Sequence, residues 1–184
     1  MIFREPVVHI RLLCYFYREK DLVIMIRPAT PEDAAALTEI YNHYILTTTV
    51  TFETEALRPG QMRRRIEEIS AEGPYFVHES GGRVDGYCYA HRLGQRAAYE
   101  GSMELSLYLT PSGTGKGIGS ALMERMVEEC RRRAYRALFC LVTSGNMASA
   151  ALCSKFGFEK VGCLKAAGFK SGRTLDLDYY ELLL

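Results

Sequence analysis

The sequence predicts an α/β domain of the α+β kind, and three observations carry that reading. From Met25 onward, segments of strand character alternate with segments of helical period. "PYFVHE" and "RVDGYCYAHR" flank an "SGG" turn in the manner of a β-hairpin. "ALFCLVT" is an unbroken apolar run, as expected of a central strand covered on both faces.

The elements follow in order. "IMIRPA" is a short opening strand. Thr30, Pro31 and Asp33 then supply a cap, a first-turn proline and a first-turn acid, which together start a helix. Its apolar face carries Leu37, Ile40, Tyr41 and Tyr44, and "TTTVTFETEAL" reads as an extended or looping link. "PGQMRRRIEEISAEG" is a second helix, with Met62, Ile66 and Ile69 inward and the arginines 63–65 on a solvated face. After the hairpin, "SMELSLYLT" is a strand ending at Pro111. A glycine-rich loop leads into a helix from Ile118 to about Arg133, with Ile118, Leu122, Met126 and Cys130 along one stripe. "ALFCLVT" is followed by a short helix in "NMASAALCSKFGF", ended by Gly157; "EKVGCLK" and "LDLDYYELLL" close the sheet. No repeat, low-complexity tract or linker interrupts residues 25–184, which therefore read as one domain.

Bulk properties exclude several function classes. The 184 residues are 48% hydrophobic and 24% charged, with net charge +1. That balance argues against nucleic acid or an anionic membrane as the main partner. No apolar run approaches the ~20 residues a bilayer span needs. The six cysteines (Cys14, Cys88, Cys130, Cys140, Cys153, Cys163) lie mostly in apolar stretches without C-x-x-C spacing. Reduced, buried thiols in a cytoplasmic protein fit this usage better than disulfides or zinc. His9, His43, His78 and His91 are scattered, so no metal is expected. Residues 1–24 read as an extension outside the core fold, consistent with translation from a start upstream of Met25; Arg11 breaks their apolar stretch and no cleavage site of a signal peptide follows.

The chemistry centres on "PSGTGKGIGSAL", which packs four glycines between Gly113 and Gly119. A Walker A loop fails because Lys116 is followed by Gly117, and the dinucleotide fingerprint fails because its last glycine would fall on Ile118 or Ser120. The spacing present is Gly115-x-Gly117-x-Gly119, after a strand and entering a helix. It can aim successive backbone N–H groups at a pyrophosphate. Read alone, a flexible turn explains it equally well.

The surroundings decide between these. The loop resembles motif A of the GNAT acetyltransferases, [QR]-x-x-G-x-[GA], with Thr114 in the first position and Gly117 and Gly119 in the glycine positions. "IRPATPEDAAALTEIYNHYI", "TFETE", "AAYEGSMELSLYLTP", "GKGIGSALM", "GNMASAALCSKFGFEKVG" and "GFKSGRTLD" appear in order and together look like the phosphinothricin/methionine-sulfone N-acetyltransferase branch. The resemblance implies a mixed, mostly antiparallel sheet of about six to seven strands, splayed between strands four and five and flanked by about four helices. It implies acetyl-CoA as cosubstrate, no metal, a small-molecule amine as acceptor and a homodimer, with Lys170 in a segment near the interface.

Residue by residue, the resemblance places Gly115, Lys116, Gly117, Ile118, Gly119 and Ser120 around the CoA diphosphate. Leu107, Tyr108 and Leu109 offer strand-edge backbone to the pantetheine arm, and Asn146 and Ser149 match the "N-x-x-S" that contacts the cofactor. Asn and Ser there also suit a plain helix cap. Glu104 matches the glutamate that takes the acceptor's proton; between apolar Met103 and Leu105, a raised pKa is expected. Gly94, Gln95, Arg96 and Tyr99, with Phe52, line the acceptor side, where an arginine fork suits a carboxylate or phosphinate. The chain departs from the pattern in having no tryptophan, which relatives often carry at positions matching Leu93, Gly101 or Thr174, and in having Cys153 where they often have histidine. Thr114 also replaces the usual Gln or Arg. The donor of a proton to the leaving thiolate stays open between Tyr108 and Cys153. The remaining readings are an acetyltransferase for a polyamine, aminoglycoside or protein amine, and a non-catalytic CoA-binding module. The near-neutral charge and Arg96 weigh against a polycation.

Overall fold

The computed structural model describes residues 15–19 and 22–184. Residues 1–14, with His9 and Cys14, lie outside the described residues. Eight strands form one sheet: β1 (Tyr15–Glu19), β2 (Leu22–Pro28), β3 (Tyr75–Ser80), β4 (Arg83–Arg92), β5 (Ser102–Leu109), β6 (Ala137–Thr143), β7 (Glu159–Lys170) and β8 (Arg173–Leu183). Their spatial order is β1-β2-β3-β4-β5-β6-β8-β7. Four helices flank it: α1 (Ala34–Thr47), α2 (Pro59–Glu72), α3 (Ile118–Arg132) and α4 (Met147–Lys155).

One strand exceeds expectation. Tyr15–Glu19 falls in the segment read as an extension outside the core, yet it pairs antiparallel with β2, from Tyr15 opposite Ile26 to Glu19 opposite Leu22. Without it, β2 would present a bare edge of N–H and C=O groups. The closing hairpin is also longer than "EKVGCLK" suggested, since β7 runs on through irregular pairing to Lys170 opposite Arg173.

Strand alternation divides the sheet's apolar side chains into two cores. Phe76, Cys88, Ala90, Met103, Leu105 and Leu138 pack beneath α3, whose stripe of Ile118, Leu122, Met126 and Cys130 is buried as expected. Tyr75, Val77 and Tyr87 point the other way, against Leu37, Ile40 and Tyr41 of α1 and Met62 and Ile66 of α2. On β6, Leu138, Cys140 and Val142 belong to the first core. Phe139 and Leu141, on its other face, are only half-buried. The run "ALFCLVT" is therefore central in pairing but not covered on both faces. Its apolar continuity reports a face left open rather than a second helical layer.

The one parallel pairing, β5 with β6, stops after Ser102–Ala137, Met103–Leu138 and Glu104–Phe139. β5 continues to Leu109 along β4, and β6 to Thr143 along β8. The strands thus diverge, which is the splay the resemblance implied.

A charged knot closes the back of α3. Glu129, 4% exposed in its side chain, accepts from Arg125 Nη2 at 3.1 Å and Arg133 Nε at 2.9 Å, and also from Arg132. Arg125 in turn lies over the Phe76 ring, 4.4 Å from its centroid. Although burial alone would raise it, the three guanidinium hydrogen bonds hold the Glu129 carboxyl down at about 2. A depressed carboxylate adds stability above its unfolded pKa, near 4.3, and loses it as pH falls through the folded value. Glu129→Gln is expected to cost about 2 kcal/mol at neutral pH, discounted because Arg132 and Arg133 remain partly solvated. Thermal melts should show a drop of roughly 4–8 °C at pH 7 that narrows as pH falls below about 4.

Candidate active site

The divergence of β5 from β6 opens a cleft of about 520 Å³, counting its mouth, between β5 Leu105–Tyr108, β6 Cys140–Thr143 and α4. Past Glu104, the β5 edge that faces β6 has no strand partner, so its N–H and C=O groups are available to an extended amide chain. Leu107 and Tyr108 line this cleft, as expected. Leu109 does not: its carbonyl accepts from Tyr44 Oη at 2.8 Å.

The glycine loop follows directly. Thr110 Oγ1 accepts from Gly113 N at 3.1 Å, closing a 3-10 turn over Pro111–Gly113. Gly113 is packed: a Cβ there would meet Thr110 Oγ1 at 3.0 Å and the Asp85 carbonyl at 3.2 Å. Gly115 (φ +77°) and Gly117 (φ +82°) are left-handed, with open space beside them. Gly117 precedes α3, and Ala121 N is the first amide to close onto it, through the Gly117 carbonyl. The amides of Ile118, Gly119 and Ser120 are thus free of the helix's own bonding and carry its positive end. Open left-handed glycines followed by free amides fit a diphosphate. Lys116 is exposed on the loop. Lys155, at the end of α4, brings a second cation, its Nζ donating to Ser120 Oγ at 2.8 Å. Nothing local in the sequence marks Lys155, which joins the loop across 35 residues.

Asn146 and Ser149 form the helix cap and also stand at the cleft. Asn146 Oδ1 accepts from Ser149 N at 3.2 Å and its Nδ2 donates to Ser149 Oγ at 2.9 Å, capping α4, while both line the cleft.

Glu104 stands at the foot of the splay, the last β5 residue paired to β6. By alternation it shares a face with Ser106 and Tyr108, opposite Leu105 and α3. Its side chain is 24% exposed, and its Oε1 lies 3.9 Å from His91 Nε2 on β4. Burial raises its pKa above the usual carboxylate value, with the His91 charge pulling the other way. The sequence-based expectation of desolvation holds, through the sheet rather than through Met103 and Leu105 alone.

On that same face lies a tyrosine cluster. Tyr108 meets Tyr41 edge-on at 4.9 Å, with Tyr44, Tyr87 and Tyr89 packed around them. The link at residues 48–58 is tied across it from several sides. Tyr41 Oη bonds Thr51 Oγ1 at 2.8 Å, Thr143 Oγ1 donates to Thr49 O at 2.9 Å, and Arg65 forks onto both oxygens of Glu53 at 2.6 and 3.1 Å. Lys170, 6% exposed, donates to Thr51 O at 2.8 Å. One reading changes here, that of the arginine run. Arg63 and Arg64 are exposed, but Arg65 is bound to Glu53 and lies over the Tyr41 ring at 5.8 Å. Lys170 is occupied within its own chain. Both were hidden because their partners are remote in sequence.

Phe52 packs against β7, where a Cβ on Gly168 would come within 2.6 Å of its ring. Tyr99 folds over Gly94, which likewise has no room for a Cβ beside that ring. Gln95 and Arg96 are exposed in the same loop, at the end of the sheet where Glu104 lies. The structure brings Phe52 to the tethered link and Tyr99 to Gly94. Among the described residues, no contact joins Arg96 to Glu104.

Cys153 of α4 and Cys140 of β6 are both buried and both line the cleft. A hydrogen bond between the thiols lowers the Cys153 pKa and raises that of Cys140. Burial raises Tyr108 well above an ordinary phenol. Among the described residues, no group of His, Cys, Asp and Glu is arranged to hold a metal ion, and no helix is long and apolar enough to cross a membrane.

Comparison with known proteins agrees with this geometry. The chain is 37% identical over 153 residues to the phosphinothricin N-acetyltransferase of Alcaligenes faecalis, covering 82% of this chain and 78% of that protein. It is 33% identical to the L-methionine sulfoximine/L-methionine sulfone acetyltransferase of Salmonella typhimurium, covering 86% and 94%. The structure matches a GNAT superfamily phosphinothricin acetyltransferase from Sinorhizobium meliloti, solved in complex with acetyl-CoA, with a TM-score of 0.84, 35% identity and 88% of each chain covered. The model of the acetyltransferase (GNAT) domain matches residues 26–177, so the diverging strands, the glycine loop and the α4 cap belong to one familiar arrangement: this chain is a member of the GNAT acetyltransferase family.

Proposed function

We propose that this acetyltransferase acts on the amine of a small amino-acid-like acceptor of the phosphinothricin or methionine sulfone/sulfoximine type, with Glu104 as general base. The observation that carries this is a half-buried carboxylate of raised pKa at the foot of the splay between β5 and β6. The relatives named above supply the acceptor class.

Acetyl-CoA supplies an acetyl thioester. The free amides of residues 118–120, the open loop at Gly115 and Gly117 and the charges of Lys116 and Lys155 hold its diphosphate end. The unpaired β5 edge at Leu107 and Tyr108 binds its extended amide arm, and a β5 N–H polarises the thioester carbonyl. An amino-acid amine is mostly protonated at neutral pH and cannot attack. Glu104 takes its proton, and burial suits the carboxylate to that exchange. The tethered link with Phe52, and the loop of Gly94, Gln95, Arg96 and Tyr99, bound the acceptor's side, where the exposed Arg96 fork meets an acidic group. Of the two hydroxyl and thiol candidates, Cys153 gives up its proton to the departing thiolate more readily than Tyr108, because Cys140 stabilises the Cys153 anion.

Four measurements test this reading. Glu104→Gln should lose turnover by about a hundredfold or more while acetyl-CoA binding is retained; unchanged turnover would remove Glu104 from the role. Because the base must be unprotonated, kcat/KM in the parent should fall as pH drops through a value above the usual carboxylate range. Gly117→Ala forces a side chain into left-handed backbone, so it should weaken acetyl-CoA binding about tenfold and lower the melting temperature by roughly 2–8 °C. Thiol release should appear with methionine sulfone, methionine sulfoximine or phosphinothricin and not with polyamines; turnover on polyamines alone would overturn the acceptor assignment.

A further inference from the structure

The transfer as proposed has a proton to dispose of. An ammonium acceptor and a thioester become an amide, a thiol and one free proton, because one of the two protons lost by nitrogen ends on sulfur and the other has no place in the products. That second proton arrives first, on the Glu104 carboxylate, which is only 24% exposed. It must leave before the next turnover.

The surroundings of Glu104 offer one way out. Tyr89 and Cys140 also act electrostatically on this neighbourhood, but burial lifts the Tyr89 phenol to about 12, and Cys153 together with burial holds the Cys140 thiol well above its ordinary value. Both stay protonated at neutral pH and take nothing from a carboxylic acid. His91 is different in kind, because its ring offers one nitrogen that can accept a proton and one that can release it. It lies directly across from Glu104 in the β4–β5 register. Its Nδ1 is 2.9 Å from the Arg92 carbonyl oxygen. A carbonyl can only accept, so Nδ1 carries the hydrogen and the neutral ring's lone pair sits on Nε2. Nε2 is the atom that faces Glu104 Oε1, at 3.9 Å. One side-chain rotation or one bridging water closes that gap. The ring stacks on Tyr89 at 5.9 Å, which holds its plane, and the His91 side chain is 33% exposed.

Resting on the assignment of Glu104 as base, we propose that His91 is a proton relay that carries the acceptor's first proton from Glu104 to solvent. The ammonium passes a proton to the Glu104 carboxylate, and the freed amine forms the C–N bond as the C–S bond breaks. The neutral Glu104 acid hands that proton to His91 Nε2, restoring the carboxylate and leaving an imidazolium. The imidazolium loses a proton to water at its exposed edge. Cys153 gives its proton to the CoA thiolate and is restored by the amine's second proton, so charge and atoms balance with no further reactant.

The test is chemical rescue in His91→Asn, whose amide can still donate to the Arg92 carbonyl but cannot carry a proton. In weak, bulky buffer, turnover should fall roughly tenfold to a hundredfold with acetyl-CoA binding and melting temperature unchanged, and added imidazole should restore it in proportion to its concentration. Full activity of His91→Asn in weak buffer would overturn the relay. So would a loss that imidazole does not restore, since that is the behaviour of a residue that only positions the carboxylate. Glu104→Gln separates the two levels. If it is inactive while His91→Asn is unaffected, the relay alone fails; if it is fully active, the base assignment fails and the relay with it.

Discussion

The site depends on one event in the sheet: β5 and β6 stop pairing after three residues. Each strand keeps its outer partner, β5 with β4 as far as Leu109 opposite Gly86, and β6 with β8 as far as Thr143 opposite Leu177. Only the inner edges are left unpaired, so the cost of opening is confined to a few backbone groups that a bound amide chain can satisfy. The divergence makes the cleft, exposes the edge, and leaves Glu104 at the vertex. It also aims the end of β5 at the glycine loop, with Thr110 closing the turn between them.

The two faces of the sheet are built for different tasks. Beneath α3 the contacts are aliphatic and sulfur-bearing, sealed at the back by Glu129 and its arginines. Beneath α1 and α2 they are dominated by tyrosine rings, which bury large area yet present hydroxyls that need partners. Those partners come largely from the link at residues 48–58, which is fastened by Tyr41, Thr143, Arg65 and Lys170 rather than by secondary structure. The link also reaches β6, where Thr143 Oγ1 donates to the Thr49 carbonyl.

Much of this was legible in the chain. Helix starts, the hairpin turn and the stripe of α3 are local patterns and appear where the residues put them. The glycine loop was legible as a turn entering a helix, but its glycines do different work. Gly113 is packed against Asp85 and Thr110, while Gly115 and Gly117 supply left-handed backbone in open space. Spacing alone does not separate those roles, because a close neighbour and a strained dihedral both select glycine. "ALFCLVT" misled for a similar reason: a run of apolar side chains says that a strand is central without saying that both its faces are covered.

By itself the sequence determined the order of elements, the glycine loop before α3 and the family to which they add up, all of which rest on residues within a turn or two of one another. Tertiary structure alone decided the rest. It drew Tyr15–Glu19 onto the edge of β2, took Arg65 out of a solvated arginine run to clamp Glu53, and sent Lys170 across 119 residues to Thr51. It also set His91 opposite Glu104, with its tautomer chosen by the Arg92 carbonyl. Periodicity records which face of an element is buried; it holds no record of which distant residue waits there. That is settled by the register of the sheet, which here sets His91 Nε2 3.9 Å from Glu104 Oε1.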